Sequence, residues 1–360
     1  MRSRFLLPLS ALALIACSQA TIRAQQCQAD SDCASGDACV NGSCTPLAPD
    51  SGVPDAGSPA PDAGTDAGAP DAGGPDAGLP DAGSDGGSVG YGGGTVDLLD
   101  FSLTGDTRPG FCDLVGNYPS AIIAQEVAQM AALPSQFAAD LGDHMFACLP
   151  DLGPVMSTAP VQMQLYVDAV AHYPKPWFMT MGNHECLTQL DCSTIVGDDD
   201  PNFHTFLAAL PGVSHQTTPY YSIDINTRFG LVRLVFIADN YGSSAAQAWL
   251  GSVLTDADAH AVHTIILKHH PYTGSDTGPA WPWPILAQHR ITLMLTAHEH
   301  DYEHDTSALS GRTVICGLGG ASTANTGFCR VQQQDDNSLA FTEYDINGNP
   351  LDTWSVPPLP

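Results

Sequence analysis

Residues 176–185 read PWFMTMGNHE, an apolar run that breaks into Gly182-Asn183-His184-Glu185. The run has the length and apolar density of a buried strand. The turn after it carries a glycine, an amide, an imidazole and a carboxylate. The same pattern recurs along the chain. Residues 96–103 read as a strand that ends in Gly105-Asp106-Thr107-Arg108, and 136–141 lead into Gly142-Asp143-His144. Residues 261–267 lead into Lys268-His269-His270-Pro271, and 291–296 into Ala297-His298-Glu299-His300. Residues 229–238 and 312–316 also read as strands, while 120–133, 161–172, 202–210 and 244–254 have helical periodicity. That alternation predicts an α/β fold with buried sheets. In such folds sites form beyond the carboxyl ends of the strands. Asp, Asn and His are oxygen and imidazole ligands suited to Mn, Fe, Zn or Co. A lone Gly-Asp is usually a turn and a lone His-His a surface or core pair. Five such loops at five strand ends are what point to a metal cluster.

The rest of the chain places this region in an exported protein. The 360 residues are 43% hydrophobic but only 14% charged, with a formal net charge of -28. So acidic a molecule repels phosphate backbones, which excludes nucleic acid as a partner. A phosphate-handling site in it needs positive charge from somewhere other than abundant lysine and arginine, and metal ions supply it. Arg2 and Arg4 precede an apolar stretch at 5–16, too short to span a bilayer, that ends in Leu14-Ile15-Ala16-Cys17. This resembles a bacterial lipobox, which implies a signal peptide over 1–17 and a lipid anchor on Cys17; an ordinary secretory signal cut after Ala20 or Ala24 is the alternative. The expected location is the cell envelope, at the outer membrane or cell surface.

There are 11 cysteines, and ten remain if Cys17 is lipidated, an even number that suits an oxidising compartment. Cys27, Cys33, Cys39 and Cys44 lie in a small module over 18–45 that two disulfides would hold together; a zinc knuckle fits less well because CxxC spacing is missing. Residues 46–95 repeat Pro-Asp-Ala-Gly at Pro54, Pro61, Pro70, Pro75 and Pro80 and read as a disordered linker. Ala stands where a calcium-binding repeat needs a large apolar residue. The folded catalytic domain is expected over 96–360.

The ordered motifs resemble those of the calcineurin-like metallophosphoesterases: Gly-Asp, Gly-Asn-His-Glu, a lone His, then a His-x-His. Ala297-His298-Glu299-His300-Asp301-Tyr302-Glu303, the Gln247-Ala248-Trp249-Leu250 helix and Gly317-Leu318-Gly319-Gly320 are similar to the purple acid phosphatase branch. The resemblance implies two β-sheets packed face to face and flanked by helices, with two metal ions along one edge. It implies that Asp143 bridges them, that Asn183, His269 and His298 bind the second, and that Asp106 and His300 bind the first. It places His184 near the phosphate and its leaving group, and His270 beside the ligand pair. Two departures stand out: Arg108 occupies a common histidine-ligand position, and Phe146 the position of the tyrosine that colours purple acid phosphatases. Arg108 then either holds a phosphate oxygen or makes a structural ion pair, and His144 or Asn117 are candidates to complete the first metal.

The implied reaction is hydrolysis of a small phosphate ester by hydroxide generated between two metals about 3.5–4 Å apart. The primary expectation is phosphomonoesters, with His184 as acid or as orienting group. The alternatives are a phosphodiesterase or nucleotidase, with Trp281 and Trp283 of the 273–284 stretch as a stacking rim, and an envelope binding protein whose metal site has decayed. Of the remaining cysteines, Cys186 and Cys192 flank a short loop and Cys316 and Cys329 a hairpin. This leaves Cys112 and Cys148 to tie the first two metal loops together or to remain free thiols.

Overall fold

The computed structural model describes residues 37–40, 43–46, 87–148, 157–187, 192, 200–271, 281–305, 313–316 and 326–358. The signal and lipobox, the pairing of the four N-terminal cysteines, the Pro-Asp-Ala-Gly repeats and residues 317–320 lie outside them. The chain divides into two units, Met1–Pro80 and Asp81–Pro360. In the first, β1 (Asp37–Val40) and β2 (Ser43–Pro46) pair as an antiparallel hairpin.

The second unit holds two mixed sheets. One contains β5 (Asp100–Thr104), β6 (Phe137–Asp140), β7 (Trp177–Met179), β14 (Gly327–Gln333), β15 (Leu339–Asp345) and β16 (Pro350–Val356), in the order β16-β15-β14-β5-β6-β7. The other contains β3 (Val89–Gly90), β4 (Gly93–Thr95), β8 (Tyr221–Thr227), β9 (Gly230–Phe236), β10 (Ala261–Leu267), β11 (Leu293–Thr296), β12 (Tyr302–Asp305) and β13 (Thr313–Cys316). Its order is β12-β13-β11-β10-β9-β8-β4-β3. Strands β5, β6 and β7 run parallel, as do β9, β10, β11 and β13.

Residue alternation explains why the sheets stack. In β9, β10 and β11 the side chains of Leu234, Phe236, Ile265, Leu267, Leu293 and Leu295 join a core shared with Phe101, Phe137 and Phe178 of the other sheet. Their neighbours Val235, Ile266 and Met294 point the opposite way. There they meet Leu250 and Leu254 of α4 (Ser244–His260) and Leu286 of α5 (Trp283–Leu286). Such strands are buried on both faces, hence their unbroken apolar sequence. Across the interface Phe178 meets Phe236 with ring centroids 5.6 Å apart, and the Tyr221 hydroxyl donates to the Met179 carbonyl at 2.8 Å. Three more helices are α1 (Ser120–Ala132), α2 (Ala159–Val170) and α3 (Pro201–Val213). The Asp200 carboxylate caps α3 by accepting from the Asn202 and Phe203 amides, both at 3.0 Å.

Three sequence expectations change. Residues 89–95, read as the end of the linker, form β3 and β4, and β4 pairs with β8 at the sheet edge. Four strands that the sequence reading passes over, β8 and β14–β16, complete the sheets, and β12 adds an edge. Cys316 and Cys329 do form a disulfide, but they do not flank a hairpin. Cys316 ends β13 of one sheet and Cys329 sits in β14 of the other, so the bond fastens the two sheets together. Cys112–Cys148 and Cys186–Cys192 are also bonded.

Candidate metal centre

The carboxyl ends of β5, β6 and β7 in one sheet meet those of β10 and β11 in the other, and the five motif loops emerge there. The loops are stitched by backbone bonds: the Asp106 amide donates to the Gly142 carbonyl at 3.0 Å and the Ala297 amide to the His269 carbonyl at 2.8 Å. They approach so closely that a Cβ on Gly142 would stand 2.6 Å from the Gly182 nitrogen, and one on Gly182 would stand 2.4 Å from the Asp143 nitrogen. Both sites therefore require glycine. Asp106, Asp143, His298 and His300 have φ of 56°, 62°, 76° and 56°. Left-handed backbone is uncommon outside glycine and costs free energy, and it concentrates at functional sites.

Asp143, Asn183, His269 and His298 converge. The Asn183 Oδ1 lies 3.0 Å from His269 Nε2 and 3.0 Å from His298 Nδ1. His269 Nε2 lies 3.3 Å from Asp143 Oδ1 and 3.3 Å from His298 Nδ1. His269 Nδ1 faces the Leu141 carbonyl at 2.9 Å. A carbonyl only accepts, so Nδ1 carries a proton and Nε2 is the nitrogen turned toward the cluster. Asp106 accepts the His298 amide on Oδ2 at 2.9 Å, while its buried Oδ1 has no hydrogen-bond partner. That oxygen lies 3.9 Å from His269 Nε2 and 3.7 Å from His300 Nε2. Crowded lone pairs around an orphaned carboxylate oxygen are reconciled by a cation, and oxygen with imidazole suits a divalent transition ion. The donor set fits a metal.

The charges agree. Burial pushes the Asp106 carboxyl up to about 7, with His269 opposing and Asp143 adding to the rise. Burial also raises Asp143, but His269, His184 and Arg108 outweigh it and hold that carboxyl well below the usual range. Burial, His269 and His270 push His298 down to about 3. Two carboxylates, Asp143 and Asp106, overcome burial at His269 and raise it to about 9.

Arg108 enters the cluster from the side. Its Nε donates to Asp143 Oδ2 at 3.1 Å, its Nη2 lies 3.0 Å from His300 Nε2, and its guanidinium sits 4.8 Å from the centre of the Phe146 ring. The Phe146 ring in turn packs against His184, centroids 4.1 Å apart. The His184 amide donates to Asp143 Oδ1 at 2.9 Å, and its Nε2 lies 3.7 Å from Asp143 Oδ2. Burial, aided by Arg108, lowers the His184 pKa.

One expected completion of the first metal does not hold. His144 turns into the core, fully buried against Tyr166 and Phe206, with its ring nitrogens 3.3 Å and 3.2 Å from Asp140 and Glu185. Asn117 is exposed. The stacking-rim reading also changes for its two tryptophans. Trp281 is buried and donates to the Asp239 carbonyl at 2.8 Å, and Trp283 covers the Lys268 ammonium at 4.4 Å. Residues 272–280 lie outside the described residues.

Sequence reading passes over Asp239, which follows β9 at the same edge and is marked only by Asp-Asn after an apolar run. It pairs with the buried Lys268 at 2.9 Å and accepts the His270 amide at 2.7 Å. Burial raises this carboxyl, but Lys268 and His270 outweigh it and bring it from 3.8 to about 2. The depressed pKa stabilises the fold above pH 3.8, and that contribution is lost as pH falls from 3.8 towards 2. Its size is about 2 kcal/mol. Unfolding free energies between pH 5 and 2 should therefore fall less steeply, by about that amount, in Asp239→Asn/Lys268→Met, which removes both charges. An unchanged slope would show that the pair contributes nothing to acid sensitivity.

Residues 135–302 match the family model for calcineurin-like phosphoesterases. The matched stretch contains Asp143, Asn183, His184, His269, His298 and His300, while Asp106 and Arg108 precede it. No curated protein matches the chain. Among solved structures, the anchor in the inner membrane complex of Plasmodium is similar in fold, with 15% identity, a TM-score of 0.52, and coverage of 73% of this chain and 90% of that one. A purple acid phosphatase from yellow lupin aligns at 14% identity and a TM-score of 0.48, covering 73% of this chain and 55% of that one. A dimetal phosphatase from Danio rerio aligns at 12% identity and 0.49, covering 72% and 99%. Over residues 135–302 the chain is therefore similar to the calcineurin-like phosphoesterases.

Proposed function

We propose that the protein hydrolyses phosphate esters in a metal-dependent reaction, with small phosphomonoesters as the principal substrates. The observation that carries this reading is the convergence of Asp143, Asn183 and His298 on His269, whose Nε2 lies 3.0–3.3 Å from an atom of each, where two sheets end. Asp106, Asp143, Asn183, His269, His298 and His300 are the residues that would hold metal. A divalent ion bound there supplies Lewis acidity towards a phosphoryl oxygen and acidifies water. The chain's own groups do the rest. Arg108 offers N–H donors to a phosphate oxygen from its perch on Phe146. His184 stands next to Asp143 to orient the ester or to protonate its leaving oxygen. Because its pKa is lowered, the protonated form is the scarcer one at neutral pH, so an acid role favours turnover at acidic pH.

The test is hydrolysis of p-nitrophenyl phosphate and bis-p-nitrophenyl phosphate by metal-stripped protein to which Mn, Zn, Co or Fe is restored one at a time. Restored cleavage of the monoester over the diester is expected. Diester preference would move the reading to a phosphodiesterase, and no cleavage with any metal would leave a binding protein.

We further propose that the chain is exported and anchored through a lipid on Cys17, with the cysteine-rich module and the Asp-rich linker as spacers. Three disulfides support an oxidising compartment. No helix among the described residues is long and apolar enough to cross a membrane. Cys17→Ser should move the protein from the detergent phase to the aqueous phase in a phase-partition assay; wild-type protein that is wholly aqueous would refute the anchor.

A further inference from the structure

The two metal positions that the motifs suggest are not equally built. At one, Asn183 Oδ1, His298 Nδ1 and Asp143 Oδ1 each lie within 3.3 Å of His269 Nε2. At the other, the donors are Asp106, Asp143 and His300, and two of the three are already engaged. Arg108 Nε takes Asp143 Oδ2 at 3.1 Å and Arg108 Nη2 takes His300 Nε2 at 3.0 Å. A metal bound there would need those same lone pairs at about 2.0–2.2 Å. An arginine offers five N–H donors and no acceptor, so it cannot join the coordination shell.

The guanidinium is also fixed in place. Its Nη1 donates to the Pro109 carbonyl at 3.3 Å, and its face lies against Phe146. Phe146 is itself wedged against His184. The Arg108 side chain is only 15% exposed. A held, largely buried cation a few ångströms away repels a divalent ion that would share its ligands. The third donor has an alternative use: Asp106 Oδ1 has no hydrogen-bond partner, and it forms with Asp143 and His269 a group whose ligand atoms all lie within 4.8 Å of one another.

We infer that this centre holds one metal ion, among Asp106, Asp143, Asn183, His269 and His298, and that the Arg108 guanidinium takes the place of the second. The inference rests on the metal-dependent reading above and refines it. The site then divides its work: the ion supplies Lewis acidity on one side, and Arg108 presents N–H donors to the non-bridging phosphate oxygens on the other, as a guanidinium does in phosphoryl transfer. His300 becomes the residue that holds Arg108 in position.

The full chain, stripped and reloaded with Mn(II), then desalted, should retain one ion per molecule at this centre. Ions held elsewhere are subtracted with the Asn183→Ala/His298→Ala variant. The electron paramagnetic resonance spectrum should be that of an isolated Mn(II). Arg108→His should raise the count to two and give a spin-coupled pair. The inference is overturned if the wild type retains two ions with a coupled spectrum, if it retains none, or if both Arg108→His and Arg108→Ala stay at one. Ester hydrolysis on the same preparations separates the two claims: two ions with hydrolysis overturns only the inference, and one ion without hydrolysis overturns only the reaction.

Discussion

Asp143→Ala should reduce phosphate-ester hydrolysis by roughly three orders of magnitude or more. The carboxylate stands at the middle of the cluster: Oδ1 accepts the His184 amide at 2.9 Å and faces His269 Nε2 at 3.3 Å, and Oδ2 accepts Arg108 Nε at 3.1 Å. Truncation removes a metal donor, the acceptor that holds His184, and the partner of Arg108 together. Each 1.36 kcal/mol of barrier is about tenfold in rate, and metal assistance is worth several kcal/mol. Asp143→Asn keeps the volume and one oxygen, so it separates loss of charge from loss of packing; it should fold normally and still lose most of the rate. His270→Ala should stay within about tenfold, since His270 leans on His298 with ring centroids 4.2 Å apart but is not among the converging donors. The metal-dependent reading does not survive an Asp143→Ala enzyme that retains near-normal hydrolysis while its metal content falls to zero.

The contrast between Asp143 and His270 shows what can be read from a sequence of this kind. Strands β6, β7, β10 and β11 are buried on both faces, so they appear as apolar runs, and the turn that ends each one stands out as a polar break. Strands β8 and β15 have one face in the core and alternate, with Tyr221, Ile223 and Ile225 buried between half-exposed neighbours, and Leu339, Phe341 and Glu343 likewise. Alternation over seven residues next to glycine- and asparagine-rich turns is a weaker signal, and such strands escape a reading tuned to apolar runs. β3 and β4 are shorter still, and their composition continues that of the repeats before them.

The site was legible in part for the same reason. Residue type and order at the strand ends mark which side chains can ligate, because ligation demands particular atoms. They do not reveal which way a side chain turns from its loop. His144 follows Asp143 directly but faces the core, because the loop turns through left-handed backbone at Asp143 and two carboxylates, Asp140 and Glu185, flank the ring on that side. Arg108 stands out in sequence as a departure from the family pattern, but only geometry shows that its donors fall on Asp143 and His300.

Glu185→Ala should destabilise the fold by about 3–5 kcal/mol. Glu185 is fully buried beneath the metal loops and serves three backbone amides. Its Oε2 accepts from Gly182 at 2.7 Å and from Asp143 at 3.0 Å, and its Oε1 accepts from His144 at 2.7 Å. The same Oε1 lies 3.2 Å from His144 Nδ1. Burial opposes a charge on that ring, but Asp140 and Glu185 outweigh it and raise its pKa to about 10, so the carboxylate also neutralises a buried imidazolium. Truncation takes the acceptor from three buried N–H groups, each worth about 1–3 kcal/mol when left unpaired, and removes one of the two carboxylates that balance His144. Glu185→Gln keeps one oxygen for those amides and should lose clearly less. The measurement is the urea midpoint of each variant with and without metal. Since the Gly182 and Asp143 amides flank the donors Asn183 and Asp143, Glu185→Ala should also gain less stability from added metal than the wild type does. A Glu185→Ala protein that unfolds within about 1 kcal/mol of the wild type, with the same gain on metal addition, would mean that these loops are held by their glycines and backbone ties rather than by this carboxylate.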